Sequence, residues 1–164
     1  MITWDDDGIG GIGGTPLFRV VSYAPEDHVL ATTLPITPRG PHPAGWAQER
    51  LRIWPSAEAA RRSAPEVLAE SLELIGRTGE IAWQGEQMVV RGSTTGQRGP
   101  CGLFTVHRPG RRAVLRTRLP APGAEAAAAR SLDGLALDSL EQAQDAAAAL
   151  LAEFRRCIGA PAAR

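Results

Sequence analysis

The sequence predicts an α+β fold that is internally duplicated, with two copies of one unit sharing a core about a pseudo-twofold axis. Each copy is expected to hold an antiparallel β-hairpin, a short strand and one helix. Three observations support this prediction. Runs of alternating apolar and polar residues, typical of half-buried strands, occur twice. In each half of the chain these runs are followed by a segment with helical periodicity. The two halves also resemble each other in sequence.

The resemblance is clearest in the predicted hairpins. Leu-Phe-Arg-Val at 17–20 returns as Leu-Phe-Thr-Val at 103–106, and the run 29–35 returns at 114–120, ending in Leu-Pro both times. A unit of about 80 residues buries little surface by itself, so the two copies are expected to form a common core. The copies are predicted to span residues 1–79 and 80–164.

The first copy is predicted to begin with a glycine-rich connector at residues 8–14. This segment satisfies GxGxxG, but three aspartates precede it and a β-patterned run follows it, so a dinucleotide-binding turn is excluded. A helix is predicted from Ser56 to Gly76, interrupted or kinked near Pro65 because proline lacks a backbone N–H. The strands of this copy are expected at residues 17–23, 28–34 and 51–54.

The second copy is predicted to carry an additional hairpin before the repeated one. Its helix is expected to begin at Ser139, to present one apolar stripe that includes Cys157, and to end at Gly159. The strands are expected at residues 81–83, 87–91, 103–107, 113–119 and 135–137.

Composition excludes several classes of protein. The 164 residues include 18 basic and 18 acidic side chains, and every basic one is arginine, which indicates a GC-rich bacterial genome. Without lysine, a P-loop, a Schiff-base enzyme and a kinase-type ATP site are excluded. The chain has no signal-peptide pattern and no apolar run of the roughly 18 residues that a membrane span needs, so we expect a cytoplasmic protein without membrane contact.

The cysteines and histidines predict no metal, no disulfide and no cofactor. Cys101 and Cys157 form no CxxC motif. Cys101 and His107 would share one face of a strand, but six residues separate them by about 20 Å, too far for a dyad. Two alternatives stay open: a dyad of Cys157 with a histidine, and a small enzymatic site at His42, near Glu49 in a proline-rich loop.

Arginine is distributed unevenly. The first copy has 7 arginines and 10 acidic residues, the second has 11 and 8, and residues 87–124 hold seven arginines without one acidic residue. Arg112, Arg116 and Arg118 alternate along one predicted strand, so they are expected to share a face. Guanidinium groups suit phosphate or carboxylate. The candidate binding residues are Arg91, Arg98, Arg108, Arg111, Arg112, Arg116 and Arg118.

These observations favour a non-enzymatic protein that binds nucleic acid or another polyanion through the arginine-rich hairpin. In strand order alone, the plan resembles the tandem ββββα units of Whirly and PUR-repeat proteins, which bind single-stranded nucleic acid; the resemblance is one of architecture, without a shared motif. One alternative is a protein-interaction or assembly module in which the same face meets an acidic partner or forms a homo-oligomer. Another is that this face is a solvated sheet surface without a partner, or that the acidic first copy pairs with its arginines within the molecule.

Overall fold

A computed structural model describes residues 1–36, 53–76, 80–86, 88–96, 99–108, 112–120 and 134–159. Within these ranges the chain forms two five-stranded antiparallel sheets and two helices. The α+β class predicted from the sequence is confirmed.

The first sheet is a meander in which strand order follows chain order. Each neighbouring pair is antiparallel. The predicted hairpin and short strand correspond to its last three strands, and the first two strands lie beyond that prediction. Its strands are β1 (Thr3–Trp4), β2 (Ile9–Ile12), β3 (Thr15–Ala24), β4 (Asp27–Ala31) and β5 (Ile53–Trp54), and helix α1 (Ala57–Ile75) follows.

The second sheet has the same plan: five antiparallel strands in chain order, followed by a helix. All five strands predicted for this half are present, and the last of them has the predicted bounds. The strands are β6 (Ala82–Glu86), β7 (Val89–Gly96), β8 (Gly99–His107), β9 (Ala113–Thr117) and β10 (Leu135–Leu137), and helix α2 is Leu140–Cys157.

Residues 9–12 of the glycine-rich segment form strand β2 and not a connector, which corrects the prediction for the middle of residues 8–14. Gly10 of β2 lies opposite Trp4, and a Cβ atom on Gly10 would stand 2.8 Å from the indole ring. Gly92 of β7 lies opposite Trp83 in the same way, again with 2.8 Å between the missing Cβ and the ring. The glycines are therefore needed for the close approach of a tryptophan and not for flexibility.

A β-bulge brings two consecutive side chains of β3 into the core. Gly10 pairs with Phe18 while Gly11 pairs with Pro16, so Leu17 is the additional residue. In the second sheet Gly92 pairs with Phe104 while Ser93 pairs with Gly102, which makes Leu103 the additional residue. The leucine and the phenylalanine of each bulge are at most 3% exposed.

Both helices begin at a serine, as predicted. The Oγ atoms of Ser56 and Ser139 accept hydrogen bonds of 3.1 Å from the N–H groups of Ala59 and Gln142. Helix α1 runs through Pro65 as one element, so the predicted interruption is not observed. Pro65 is exposed, and the buried face of the helix, which includes Ala64 and Val67, holds the segment in place.

One hydrophobic cluster contains side chains from both sheets and both helices. Helix α1 contacts β3, β4 and β5 and also β7 and β8 of the other sheet, whereas α2 contacts β8, β9 and β10. Arg155 of α2 is largely buried and donates a hydrogen bond to the carbonyl of Gly76, just after α1. Burial lowers the pKa of this guanidinium from its ordinary value. The two halves of the chain are therefore joined by apolar packing and by this polar contact.

Candidate arginine-bearing binding face

The side of the second sheet that points away from the hydrophobic cluster is the strongest candidate for a functional surface. Val90, Gly92 and Thr94 of β7 are buried, so the alternate residues of that strand point outward. We call this side the outer face of the second sheet. Its described side chains are Ala82, Gln84, Val89, Arg91, Ser93, Thr105, His107, Arg112, Val114, Arg116 and Ala136.

Two arginines stand in one row across this face. Arg91 pairs with Thr105, and Thr105 pairs with Arg116, so the three residues occupy neighbouring positions on β7, β8 and β9. Neighbouring strands are about 4.8 Å apart, which places the backbones of the two arginines about 10 Å from each other. Both arginine side chains are exposed, and the short side chain of Thr105 between them leaves the space open. The row can therefore hold two negatively charged groups side by side.

Two further arginines lie at the end of the sheet nearest this row. Arg112 directly precedes β9 and is exposed; because Ala113 and Leu115 are buried, Arg112 is on the same side as Arg116. Arg108 directly follows β8, is exposed, and is fixed by a 2.9 Å hydrogen bond from its backbone N–H to the carbonyl of Met88. Arg98 and Arg111, which complete the predicted set, lie outside the described residues.

Arg118 does not lie on this face, which corrects the expectation that it shares a strand face with Arg112 and Arg116. Strand β9 ends at Thr117, whose hydroxyl accepts a 3.0 Å hydrogen bond from the N–H of Leu119 and turns the chain. The N–H of Arg118 bonds to the carbonyl of the bulge residue Leu103 at 3.0 Å. Its Nε atom is buried, and its charge acts on the thiol of Cys101. The arginine therefore reaches toward the core side.

The exposed arginines are not neutralised by the described part of the first half. None of Arg91, Arg108, Arg112 and Arg116 has a carboxylate within 4 Å among the described residues. By contrast, the described residue Arg62 does pair at the surface: its Nε is 3.8 Å from a carboxylate oxygen of the exposed residue Glu58 on the same helix. The outer face of the second sheet thus carries positive charge that an external anion can approach.

The outer face of the first sheet differs in chemistry. In the row that matches Arg91, Thr105 and Arg116 by strand position, Ile9 pairs with Arg19 and Arg19 pairs with Ala31. The next row holds Val21, Val29 and Ile53. Among the described residues of these two rows, Arg19 is the single charged side chain, so this face offers an anion much less than the other.

The histidines and cysteines of the described part do not assemble a catalytic group. His28 is bonded through Nδ1 to Ser22 Oγ at 2.8 Å and through Nε2 to the carbonyl of Pro25 at 3.1 Å, which closes the β3–β4 hairpin. Cys157 is half-buried, and Nη2 of Arg156 is 3.8 Å from its sulfur. No three His, Cys, Asp or Glu side chains of the described ranges come together as metal ligands.

The bulge at Leu103 also corrects the predicted relation between Cys101 and His107. They were expected on one face of a strand, but Cys101 is buried on the core side whereas His107 is half-exposed on the outer face. One additional residue between them inverts the alternation. His42 and Glu49 of the proposed enzymatic loop lie outside the described residues.

In the ranges that the structure describes, no helix is both long and apolar enough to span a membrane. Comparison with family models, with curated proteins and with solved structures finds no match to the chain, so the fold and the arrangement of its side chains are the basis for a functional conclusion.

Proposed function

We propose that the protein is a non-enzymatic binding module that binds nucleic acid through phosphate contacts on the outer face of the second sheet. The observation that carries this proposal is the open row of Arg91, Thr105 and Arg116, with Arg112 and Arg108 beside it and no carboxylate partner for these arginines among the described residues. Arginine forks bind phosphate oxygens in a bidentate manner, and an exposed sheet can follow a nucleic-acid backbone.

In the proposed binding, the affinity comes from contacts between arginines and phosphates and not from base stacking. The described outer face has no phenylalanine, tyrosine or tryptophan on which a base could stack, and proteins that bind single strands by stacking depend chiefly on such residues. Phosphate contacts carry little sequence information and release counterions, so affinity should fall steeply with salt. Three arginine contacts to a single strand correspond to a slope of about −2 in a plot of log affinity against log salt concentration.

The test is a triple substitution, Arg91→Gln, Arg112→Gln and Arg116→Gln, measured by fluorescence anisotropy with single-stranded and duplex oligonucleotides over a range of salt. At about 1 kcal/mol per exposed charge contact, affinity should fall about 100-fold and the salt slope should approach zero. The matched control replaces three other exposed arginines, Arg19, Arg62 and Arg156, and changes the net charge equally. Unchanged binding in the first variant, or an equal loss in the control, would contradict the proposal.

A second candidate function is assembly through the same face. Acidic side chains are exposed at two turns of the first half: Asp5, Asp6 and Asp7 between β1 and β2, and Glu26 and Asp27 where the β3–β4 turn leads into β4. These charges complement the arginine row, so one copy could dock head-to-tail on another. Light scattering at low salt distinguishes the two functions: a mass that rises with concentration, and that the triple substitution returns to the monomer, favours assembly.

We also propose that residues 1–79 and 80–164 are duplicated copies of one unit. Support comes from the Trp–Gly pairs and the leucine bulges already described. It also comes from two matching strand ends, where Leu34 N–H bonds to Thr32 Oγ at 3.1 Å and Leu119 N–H bonds to Thr117 Oγ at 3.0 Å. Each unit has five strands, one more than the tandem units it was compared with.

A pseudo-twofold arrangement of the two copies around the common core is part of this proposal, and it is supported by a reciprocal contact. The β2–β3 turn of the first half approaches the end of α2, since a Cβ on Gly13 would be 2.9 Å from the carbonyl of Cys157. The end of β7 in the second half approaches the end of α1, where Gly96 lies against the carbonyls of Glu73 and Leu74.

We propose a cytoplasmic location, which the free thiols of Cys101 and Cys157 support. A catalytic role for His42 stays a hypothesis, since its loop lies outside the described residues. A screen of the purified protein for esterase and phosphatase activity, with His42→Ala as the comparison, tests it.

A further inference from the structure

A second polar site lies on the core side of the second sheet, opposite the arginine row. Thr94 of β7 is 1% exposed and pairs in register with Cys101 of β8, which is 7% exposed. Arg118 reaches the same thiol from the other side of β8, its backbone held to Leu103. Three polar side chains from three adjacent segments therefore lie on the core side of the sheet.

Two of these side chains lack the hydrogen bonds that burial demands. Neither Oγ1 of Thr94 nor Nε of Arg118 has a hydrogen-bond partner among the described residues, although both atoms are buried. Buried polar atoms in folded proteins are almost always bonded, so an orphaned donor indicates a ligand, an ion or a water at that position. Two orphaned donors on either side of one thiol point to a single acceptor between them.

The acceptor should carry a negative charge. The guanidinium of Arg118 is positively charged and half-buried, and no carboxylate of the described part lies within 4 Å of it. Cys101 cannot supply the charge, because burial raises the pKa of the thiol by more than Arg118 lowers it, so the sulfur stays protonated at neutral pH. The Nε–H of this cation is itself buried and unbonded, which is unfavourable, and a bound anion that accepts from it would remove that cost.

We propose that Thr94, Cys101 and Arg118 form a binding site for one small monovalent anion, such as a halide or a short carboxylate. Arg118 Nε–H and Thr94 Oγ–H donate to the anion, and the Cys101 S–H is the third donor. The burial of Thr94 and Cys101 limits the ligand to a few atoms, so a nucleic-acid strand cannot enter. The site is independent of the outer face, because it uses the other side of the sheet and a different arginine.

The test is a titration with sodium chloride, sodium acetate and sodium phosphate, with ionic strength held constant by a bulky organic sulfonate. The ¹H–¹⁵N spectrum of the full chain reports the Nε–H of Arg118 and the N–H of Thr94 directly. Saturable shifts of both signals with chloride or acetate are expected, with phosphate much weaker. Signals that do not move, or that drift linearly with all three salts, would overturn the proposal.

Variants connect the titration to these side chains. Arg118→Gln should abolish the saturable response. The nearly isosteric Thr94→Val should weaken the affinity for the anion at least threefold. The anion-induced shift of the thermal midpoint, measured at a fixed anion concentration, reports this loss. Arg116→Gln removes a charge from the opposite face of the sheet and should leave the response unchanged. If Arg118→Gln does not fold, Arg118→Lys and Thr94→Val decide; a wild-type response in both, or a loss in Arg116→Gln, contradicts the site.

Thiol chemistry gives an independent readout. In a Cys157→Ser background, Cys101 is the one remaining thiol, and iodoacetamide alkylates it by forming an S–C bond as iodide leaves. A bound anion disfavours the attacking thiolate, so the alkylation rate should fall several-fold over the same anion concentrations that shift the Arg118 signal. A rate that is insensitive to chloride and acetate would count against a shared site.

Discussion

The two sheets share a strand order but differ in what their outer faces present. Where the second sheet holds Arg91, Thr105 and Arg116 in one row, the first sheet holds Ile9, Arg19 and Ala31. The core sides are alike, with a glycine opposite a tryptophan and a leucine bulge in each. Core positions are constrained by packing in both halves, whereas outward positions are not, so an outer face on which the two sheets differ is where function is best sought.

The largest effect should come from the bulge leucines. Leu17→Ala and Leu103→Ala each remove a buried side chain that is at most 3% exposed, so each should lower the free energy of unfolding by about 3 kcal/mol. Urea unfolding measures both. If the halves depend on the bulge equally, the two losses agree within about 1 kcal/mol, within the range for such substitutions. A loss of unfolding free energy in only one of the two variants would contradict the similarity between the core sides of the two sheets.

A smaller effect is expected at the glycines that face the tryptophans. Gly10→Ala and Gly92→Ala force a methyl group against an indole ring, which should cost about 2 kcal/mol in each half. Gly102→Ala is the matched control, since a Cβ at that strand position meets no atom within 4 Å. Tryptophan fluorescence during urea unfolding reports the loss, and a stable Gly92→Ala variant would mean that the ring has room to move.

The outer faces can be made alike by design. Ile9→Arg together with Ala31→Arg gives the first sheet a row of three arginines with Arg19, and we expect nucleic-acid affinity to rise about 10-fold at low salt, from about 1.4 kcal/mol of additional charge contacts. The salt slope should become steeper by about 0.7 for each added contact with a single strand. Ile9→Gln with Ala31→Gln is the uncharged control. Equal nucleic-acid binding by the arginine and the glutamine variants would show that positive charge on an open row is not sufficient for binding.

The smallest effect on stability is expected at Cys101. This residue lies two places before the bulge leucine of the second sheet, where the first sheet has Thr15, whose side chain does not ionise. The raised pKa of Cys101 means that the unfolded chain loses its thiol proton at lower pH than the folded chain does. Stability from this group is therefore complete at neutral pH and declines as pH rises through the alkaline range. Cys101→Ala should show a shallower decline than the wild type between pH 8 and about 10, measured by chemical unfolding; parallel curves would contradict the linkage.

The local sequence pattern was sufficient to predict most of the strands and the helix of the second half. The runs 103–107 and 135–137 alternate or cluster as strands do, and Ser139 marks the start of α2. The first half was harder, because Gly10 and Gly11 lack the side chains that signal a strand. The recurrence of Trp4 and Trp83 was the available clue, yet only the pairing of each with a glycine on the next strand explains it.

The sequence predicted that the candidate face is rich in arginine, but it did not predict which residues lie on that face. A segment of arginines without acids identified Arg91 and Arg116, and their register across Thr105 needed the pairing of three strands. Arg118 and His107 were assigned by strict alternation, which fails wherever a bulge or a strand end intervenes. Such irregularities depend on contacts between segments far apart in the chain, here Gly92 with Phe104 and Arg118 with Leu103.

The packing of α1 has a consequence for how the protein is made. Helix α1 lies against β7 and β8, which leave the ribosome only after it, and Gly76 is bonded by Arg155 near the carboxyl end of α2. A nascent first half therefore emerges with part of its apolar surface uncovered, and it must wait for most of the remaining chain before that surface is buried. Folding is accordingly expected to be one cooperative step that involves both sheets.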